Sequence, residues 1–401
     1  MRRRSHVKKV FAPIWLITVT LAISSQYPET HPQVVQTDEV HVFLASSSAD
    51  IRPLFVAVNS TLTTFAGDTK LRIIVFMPPQ YASIVEASII GLLPDAKGSF
   101  SIDSTSLDVK RISQLPGVLP TNKTKRKELA NAYNFAAYYI ASMTKYSGVS
   151  KAIYLDTDVV VLHDISELLR ACCTAGTAVA VVEDCSQTLD TYVDLARLRE
   201  EVREHKEHLD PQSFEAEQSR LLSSDGESIC VFNRGILVLD LTAWRKLGIA
   251  SEIERWMRVH ATSTRPLYFQ GVSQPPFLLA LLRRYTSLDL AWNTRGLGRG
   301  TINAREIKSL IAQGMSTVYL ERAGFKGDRP FVSPFTDVSK ILHFNGRHKP
   351  WLHGRTTSKM KGSTAVCGSD VVPCATLWWN YISPEAEGLL NQIALLIKPL
   401  Y

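Results

Sequence analysis

Asp156-Thr157-Asp158 closes the apolar run Ala152 to Leu155. Residues two apart on an extended chain point the same way, so both carboxylates can meet one ligand. Two carboxylates suit a hard cation, and such a cation can bridge a diphosphate. Asp-x-Asp pairs also occur in solvated turns, but a buried strand feeding straight into this one favours a ligand site. A second cluster lies far along the chain, from His343 to Trp351 (HFNGRHKPW). A neutral imidazole at His343 can complete a manganese site begun by Asp156 and Asp158. Gly346 allows a backbone to approach a phosphate closely. Lys349 offers that phosphate a compact charge. Together these residues read as a clamp for a metal and a diphosphate.

The elements that must position them follow from patterning. His41 to Ala45, Leu71 to Met77, a segment near Phe100, and Ala152 to Leu155 read as strands. Pro53 to Phe65, Tyr81 to Leu93 and the long stretch Lys127 to Lys145 read as helices. This alternation predicts a mixed, mainly parallel sheet flanked by helices, an α/β fold. Ligands of such sheets bind at the carboxyl ends of strands, where Asp156 falls. Thr177 to Val182, Ile229 to Leu241, Val318 to Leu320 and Lys340 to Phe344 add further strands. The charged segment Val193 to Leu222 reads as a solvated helical insertion. After Pro275-Pro276 comes an apolar helix, and Trp378, Trp379 and a terminal helix are expected to pack back on the core.

The chain of 401 residues carries a net charge of +7. Arg2, Arg3, Arg4, Lys8 and Lys9 supply five of these charges, which leaves +2 over the remaining 392 residues. The basicity is therefore a terminal tail, and nucleic acid is excluded as a partner. Val10 to Ile23 is an apolar stretch of 14 residues. A membrane span takes roughly 17–25 residues and a signal peptide's apolar core about 7–15. Trp15 and the adjacent cations favour a short anchor over a cleaved signal. Either reading sends the rest of the chain into the secretory lumen. The expected organisation is a cytoplasmic tail over 1–9, a membrane segment over 10–25 and a stem over 26–38. A catalytic domain over 39–355 and a C-terminal helical extension over 356–401 complete it.

Asn59-Ser60-Thr61 and Asn122-Lys123-Thr124 are glycosylation sequons, the second better exposed by its Pro/Lys loop. Six cysteines suit an oxidising compartment. Cys367 with Cys374, and Cys185 with Cys230, are plausible pairs, while Cys172 and Cys173 read as free buried thiols. No C-x-x-C spacing supports zinc.

The ordered motifs resemble glycosyltransferase family 8, the retaining nucleotide-sugar transferases of the GT-A fold. HVFLASS with AVNS, AIYLDTDVVVLHDISEL, VFNRGILVLDLTAW, SQPPFLLAL with AWNTRGLG, and HFNGRHKPW occur in the family's order. The later motifs are similar to those of the plant galacturonosyltransferase-like and animal glycosyltransferase 8 domain-containing proteins. The resemblance implies that Asp156, Asp158 and His343 hold manganese. It puts Ala45, Ser46 and Ser47 by the uridine, and Thr157, Gly346 and Lys349 beside the nucleotide's phosphates. Asp184, Asn233 and Gln274 would line the donor sugar. The implied reaction moves a hexosyl or uronosyl group from a UDP-sugar to a glycan, polysaccharide or glycoconjugate, in a type II protein of the Golgi membrane. Two departures stand out. Serines 46 to 48 replace an acidic residue expected near the uracil, and Ala137 replaces an arginine expected near the donor, for which Arg126 or Lys127 could substitute. The competing reading is a catalytically silent lumenal relative that holds a nucleotide or glycan. Retention of Asp156, Asp158, His343 and Lys349 weighs against it.

Overall fold

A computed structural model describes residues 39–119, 129–204, 221, 229–269, 272–299, 307–308, 311, 338–355, 366–367 and 372–397. The strands in chain order are β1 (Glu39–Ala45), β2 (Lys70–Phe76), β3 (Phe100–Asp103), β4 (Lys151–Leu155), β5 (Val159–Val161) and β6 (Val179–Val181). They continue with β7 (Glu183–Thr188), β8 (Cys230–Phe232), β9 (Ile236–Asp240), β10 (Tyr285–Ser287) and β11 (Ile341–His343). Seven of them form the main sheet in the order β10-β6-β9-β4-β1-β2-β3. Pairing is parallel except along β9, which runs antiparallel to both β4 and β6. The mixed, mainly parallel sheet expected from the sequence is the one observed.

The strands read as unbroken apolar runs because both faces of the sheet are covered. Successive side chains of a strand point to opposite faces. Val42 and Leu44 of β1, Ile153 and Leu155 of β4, and Ile236 and Val238 of β9 enter one core. Phe43, Tyr154 and Leu237 enter the other. Helix α1 (Arg52–Thr64) and helix α2 (Pro79–Leu92) each begin with proline in the first turn, where its missing N–H costs nothing. Both bury residues in the first core.

Several expectations change. Lys127 to Lys145 is not one helix. Its described part is a chain of short turns: 3-10 at Ala132–Phe135, α at Ala136–Tyr139, then 3-10 at Ile140–Ser142 and Thr144–Tyr146. The residues from Phe135 to Ala141 are buried with no polar face, so core packing outweighs helical continuity. Ile229 to Leu241 divides into β8 and β9 at Asn233-Arg234-Gly235. The charged insertion is helical over Leu195–Glu204, yet Leu198 and Val202 are buried in the core, so the helix is only half solvated. Cys172 and Cys173 are joined to each other rather than free. The pairs Cys185–Cys230 and Cys367–Cys374 form as expected.

The terminal helix Pro384–Leu396 packs Ala386, Leu390 and Ile393 into the first core. Asn59, in α1, donates from Nδ2 to the Tyr381 carbonyl at 2.8 Å, so this sequon clips α1 to the C-terminal region. No helix among the described residues is long and apolar enough to cross a membrane. The tail, the apolar stretch at 10–23, the stem, Asn122, Arg126, Lys127 and the strand expected at Val318 to Leu320 lie outside the described residues.

At the end of β3, Asp103 is a buried carboxylate. It accepts from Ser106 Oγ at 2.6 Å, Ser106 N at 2.9 Å, Tyr146 OH at 2.6 Å and Lys145 Nζ at 2.9 Å. Burial alone would raise its pKa, but these donors hold it well below the usual range. A depressed carboxylate pKa stabilises the fold above the unfolded-chain value of about 3.9, and that contribution is lost as pH falls below it. Asp103→Asn is expected to cost about 2 kcal/mol at neutral pH and to flatten the loss of stability between pH of about 5 and 2. Thermal melts across that range check this: parallel wild-type and variant profiles would rule out the role.

Candidate active site

The site begins where β4 ends. β1 and β4 run side by side, with Phe43 opposite Tyr154. Two residues further on, β1 reaches Ala45 and β4 reaches Asp156, both at the carboxyl edge of the sheet. Ser46 and Ser47 follow Ala45 there. Ser46 is buried, and its N–H donates to the Phe76 carbonyl at 3.0 Å. After Asp158 the chain re-enters a ladder as β5, which pairs antiparallel with β11. In that register His343 lies opposite Val159, the neighbour of Asp158. The Phe344 N–H continues the ladder by donating to the Asp158 carbonyl at 2.8 Å.

The result is a compact cluster. His343 Nε2 is 3.2 Å from Asp158 Oδ1 and 3.9 Å from Asp156 Oδ2. One ligand atom from each of the three residues lies within 4.8 Å of the others. His343 Nδ1 is 3.0 Å from Asn293 Oδ1, and Nε2 is buried with no hydrogen-bond partner. An N–H on Nδ1 donating to Asn293 leaves the Nε2 lone pair facing two carboxylates. A buried acceptor without a donor is costly, whereas a divalent cation would satisfy all three groups. The donor set, one imidazole and two carboxylates, fits a borderline or hard divalent ion such as manganese.

Gly235 keeps this arrangement tight. A Cβ there would sit 2.2 Å from His343 Cε1, and the Gly235 carbonyl accepts from the Asp156 N–H at 2.7 Å. The turn between β8 and β9 therefore touches both halves of the cluster. Burial pushes the Asp156 carboxyl above its usual pKa, with Arg234 pulling it down and Asp158 adding to the rise. Burial also opposes charge on Asp158, but the Lys349 ammonium outweighs it and holds that carboxyl well below the usual range. Lys349 Nζ donates to Asp158 Oδ2 and, at 2.7 Å, to the Phe344 carbonyl. In this structure the Lys349 ammonium thus faces the carboxylate pair.

Gly346 has φ +126, and a Cβ there would lie 2.3 Å from the Gly298 carbonyl atoms. The backbone that demands glycine at this position is therefore the crossing loop at Gly298. A neighbouring open cleft of about 350 Å³ is lined by Asp184, Asn233, Gln274, Arg295, Arg299 and Asn345, among others. The three residues assigned to the donor sugar by resemblance thus share one cleft. Asp184 is buried and ion-paired with Arg295. Asn233 Oδ1 accepts from the Gly235 N–H at 2.8 Å, and Gln274 Nε2 donates to the Phe232 carbonyl.

Residues 20–354 match Glycosyl transferase family 8. The chain belongs to this family. Glycosyltransferase 8 domain-containing protein 1 of Xenopus laevis is 30% identical over 228 residues, covering 56% of this chain and 52% of that protein. The Mus musculus protein of the same name is 25% identical over 367 residues, covering 90% of this chain and 82% of that one. The chain spans about half the length of the frog relative. Among solved structures, the WbbM bifunctional glycosyltransferase shares the fold with a TM-score of 0.54, at 17% identity, covering 90% of this chain and 52% of that one. These family 8 likenesses agree with the GT-A sheet described above.

Three residues without an assigned role in the motif reading now have a place. Asn293 (AWNTRGLG) orients His343, Arg295 pairs with Asp184, and Arg234 (VFNRGILVLD) lies beside Asp156. A lone arginine inside an apolar run was the one sequence signal for the last. Partners that orient a metal-binding histidine typically matter 10–100-fold in metal affinity. Asn293→Ala is accordingly expected to weaken divalent-metal binding at this cluster by roughly that factor, read by calorimetric titration. Unchanged affinity would mean that packing alone holds the ring.

Proposed function

We propose that this member of glycosyl transferase family 8 transfers a hexosyl or uronosyl group from a UDP-sugar to a glycan or glycoconjugate acceptor, with retention and with manganese. The observation that carries this reading is the Asp156–Asp158–His343 cluster with its unpartnered, buried Nε2. When bound, manganese would supply positive charge against the negative charge that grows on the departing diphosphate. Asp156, Asp158 and His343 would hold it. Lys349, turned to Asp158 here, is close enough to exchange that carboxylate for a phosphate oxygen and to stabilise the same growing charge. Asp184, Asn233 and Gln274 would bind the sugar in the adjoining cleft, and Ala45, Ser46 and Ser47 would border the uridine at the β1 edge. Arg295 fixes Asp184 for that task.

In the reaction the bond from the anomeric carbon to the diphosphate oxygen breaks, and the acceptor oxygen bonds to that carbon on the same face. The acceptor's proton passes to the departing phosphate oxygen. Among the described residues that line the cleft the carboxylate is Asp184, which is paired with Arg295, and this favours same-face attack.

Release of UDP from a panel of UDP-sugars, with manganese and with chelator, tests the activity. Wild type is expected to turn over one donor in manganese only. Asp158→Ala should lose activity while remaining folded, and Lys349→Ala should lose both donor affinity and turnover, because phosphate charge rises as the bond breaks. Full activity in excess chelator, or in Asp158→Ala, would remove the metal mechanism.

We also propose that the catalytic unit faces the secretory lumen, in the Golgi, behind an amino-terminal anchor. The five cations before Val10, the apolar stretch at 10–23 and the three joined cysteine pairs support this. On sealed vesicles residues 39–401 should resist protease until detergent is added, and digestion without detergent would reverse the topology.

A further inference from the structure

Lys349 and Trp351 stand on either side of Pro350. Pro350 is buried and opens a short helix, Pro350–His353, for which Lys349 is the capping residue. The Leu352 N–H donates to the Lys349 carbonyl at 3.1 Å. This turn brings the half-buried Trp351 ring back to the lysine side chain. Lys349 Nζ lies over that ring, 5.7 Å from its centroid. A cation within about 6 Å of an aromatic face is attracted by the ring's quadrupole, and indole is the best of the aromatic partners.

The ring has a firm backing in the C-terminal part of the chain. Trp351 packs on Trp378 with centroids 5.4 Å apart, and Trp378 meets Trp379 edge to face at 4.6 Å. Trp378 is fully buried in the first core. The helix that carries both, Cys374–Trp379, begins at the Cys367–Cys374 bridge. The Arg355 guanidinium lies over the Trp379 ring, 4.8 Å from its centroid, and donates from Nε to Glu387 Oε2 of the terminal helix at 3.0 Å. Three rings in contact thus connect the C-terminal helices to the Lys349 ammonium. That ammonium bonds to Asp158 and to the Phe344 carbonyl. The bond to Asp158 weakens once that carboxylate shares its charge with a metal. The Phe344 carbonyl and the Trp351 ring are uncharged partners, and their hold does not depend on the charge at Asp158.

We propose that Trp351 is a positioning residue: its ring, backed by Trp378, keeps the Lys349 ammonium at the metal cluster, where it meets the nucleotide's diphosphate. This rests on the function proposed above. The rival is an ordinary packing residue, whose loss would act on stability and not through Lys349.

The test uses the full chain, with manganese chloride and UDP as probes in calorimetric titrations. In saturating manganese, Trp351→Leu is expected to bind UDP about tenfold more weakly than wild type, and Trp351→Phe, which keeps a ring face, within about threefold of it. Manganese affinity in the absence of UDP should not fall. In the Lys349→Ala background, Trp351→Leu should cost nothing further, because the ring acts through the ammonium. Fluorinated tryptophans placed at position 351 by nonsense suppression keep the shape of the indole and withdraw negative charge from its face. UDP affinity should fall stepwise with each added fluorine, and this series decides the matter where Trp351→Leu does not fold. Equal UDP affinity across the fluorinated series overturns the proposal. So does a full effect of Trp351→Leu in the Lys349→Ala background, or a loss of manganese affinity in parallel with that for UDP, which marks a packing role. If wild type itself fails to bind UDP with manganese, the proposed function falls and this role falls with it. If wild type binds and Lys349→Ala weakens binding, but the fluorinated series does not, only the role of Trp351 falls.

Discussion

The three-residue ladder between β5 and β11 is the contact on which the site depends. Asp158 immediately precedes β5, and His343 ends β11. Antiparallel pairing places His343 opposite Val159. Side chains alternate faces along a strand, so a slip of one residue would turn the imidazole away from the carboxylates. The register is held by burial. Val159, Val160, Val161, Ile341 and Leu342 are fully buried, and a shifted pairing would expose or misplace them. A hydrophobic constraint on a short strand pair thus becomes a polar constraint of 3.2 Å between imidazole and carboxylate.

The loops then add what the ladder cannot. Asn293 lies close to β11 in space, since the Thr294 N–H donates to the Ile341 carbonyl and the His343 N–H to the Thr294 carbonyl. This brings the Asn293 amide to Nδ1 and turns Nε2 to the carboxylates. Gly235 and Gly298 permit two close approaches, one to the His343 ring and one to the Phe344 and Gly346 backbone. Each glycine is there for absence of volume. The metal cluster and the adjoining cleft meet at one tight turn, Asn233-Arg234-Gly235, in which Asn233 lines the cleft, Arg234 anchors on Asn134 and Gly235 abuts the histidine.

Unequal cationic partners account for the opposite behaviour of the two carboxylates. They share a strand end and burial, yet the Asp158 pKa is depressed and the Asp156 pKa is raised. Lys349 bonds to Asp158 directly, whereas Arg234 is anchored on Asn134 and acts on Asp156 by proximity.

Much of this was legible in the sequence for a definite reason. Strand and helix periodicity, the Asp-x-Asp at the end of a buried strand and the proline-led helix starts are local, and short-range sterics and burial encode them. β1, β2, β4, α1 and α2 follow that pattern within a residue or two. The misreadings come from contacts between distant parts of the chain. The helix expected at Lys127 to Lys145 fails because the residues from Phe135 to Ala141 are buried all round, against distant parts of the chain. Cys172 and Cys173 offered no local sign of bonding to each other. Lys349 meets Asp158 across 191 residues, Arg234 meets Asn134 across 100, and His343 meets Asn293 across 50. Residue types and short-range periodicity were enough to mark the side chains able to do chemistry and the strands that carry them. Which of them face one another followed from long-range packing, because a partner's direction depends on sheet register and loop crossing, and neither is written in the residues on one side of the contact.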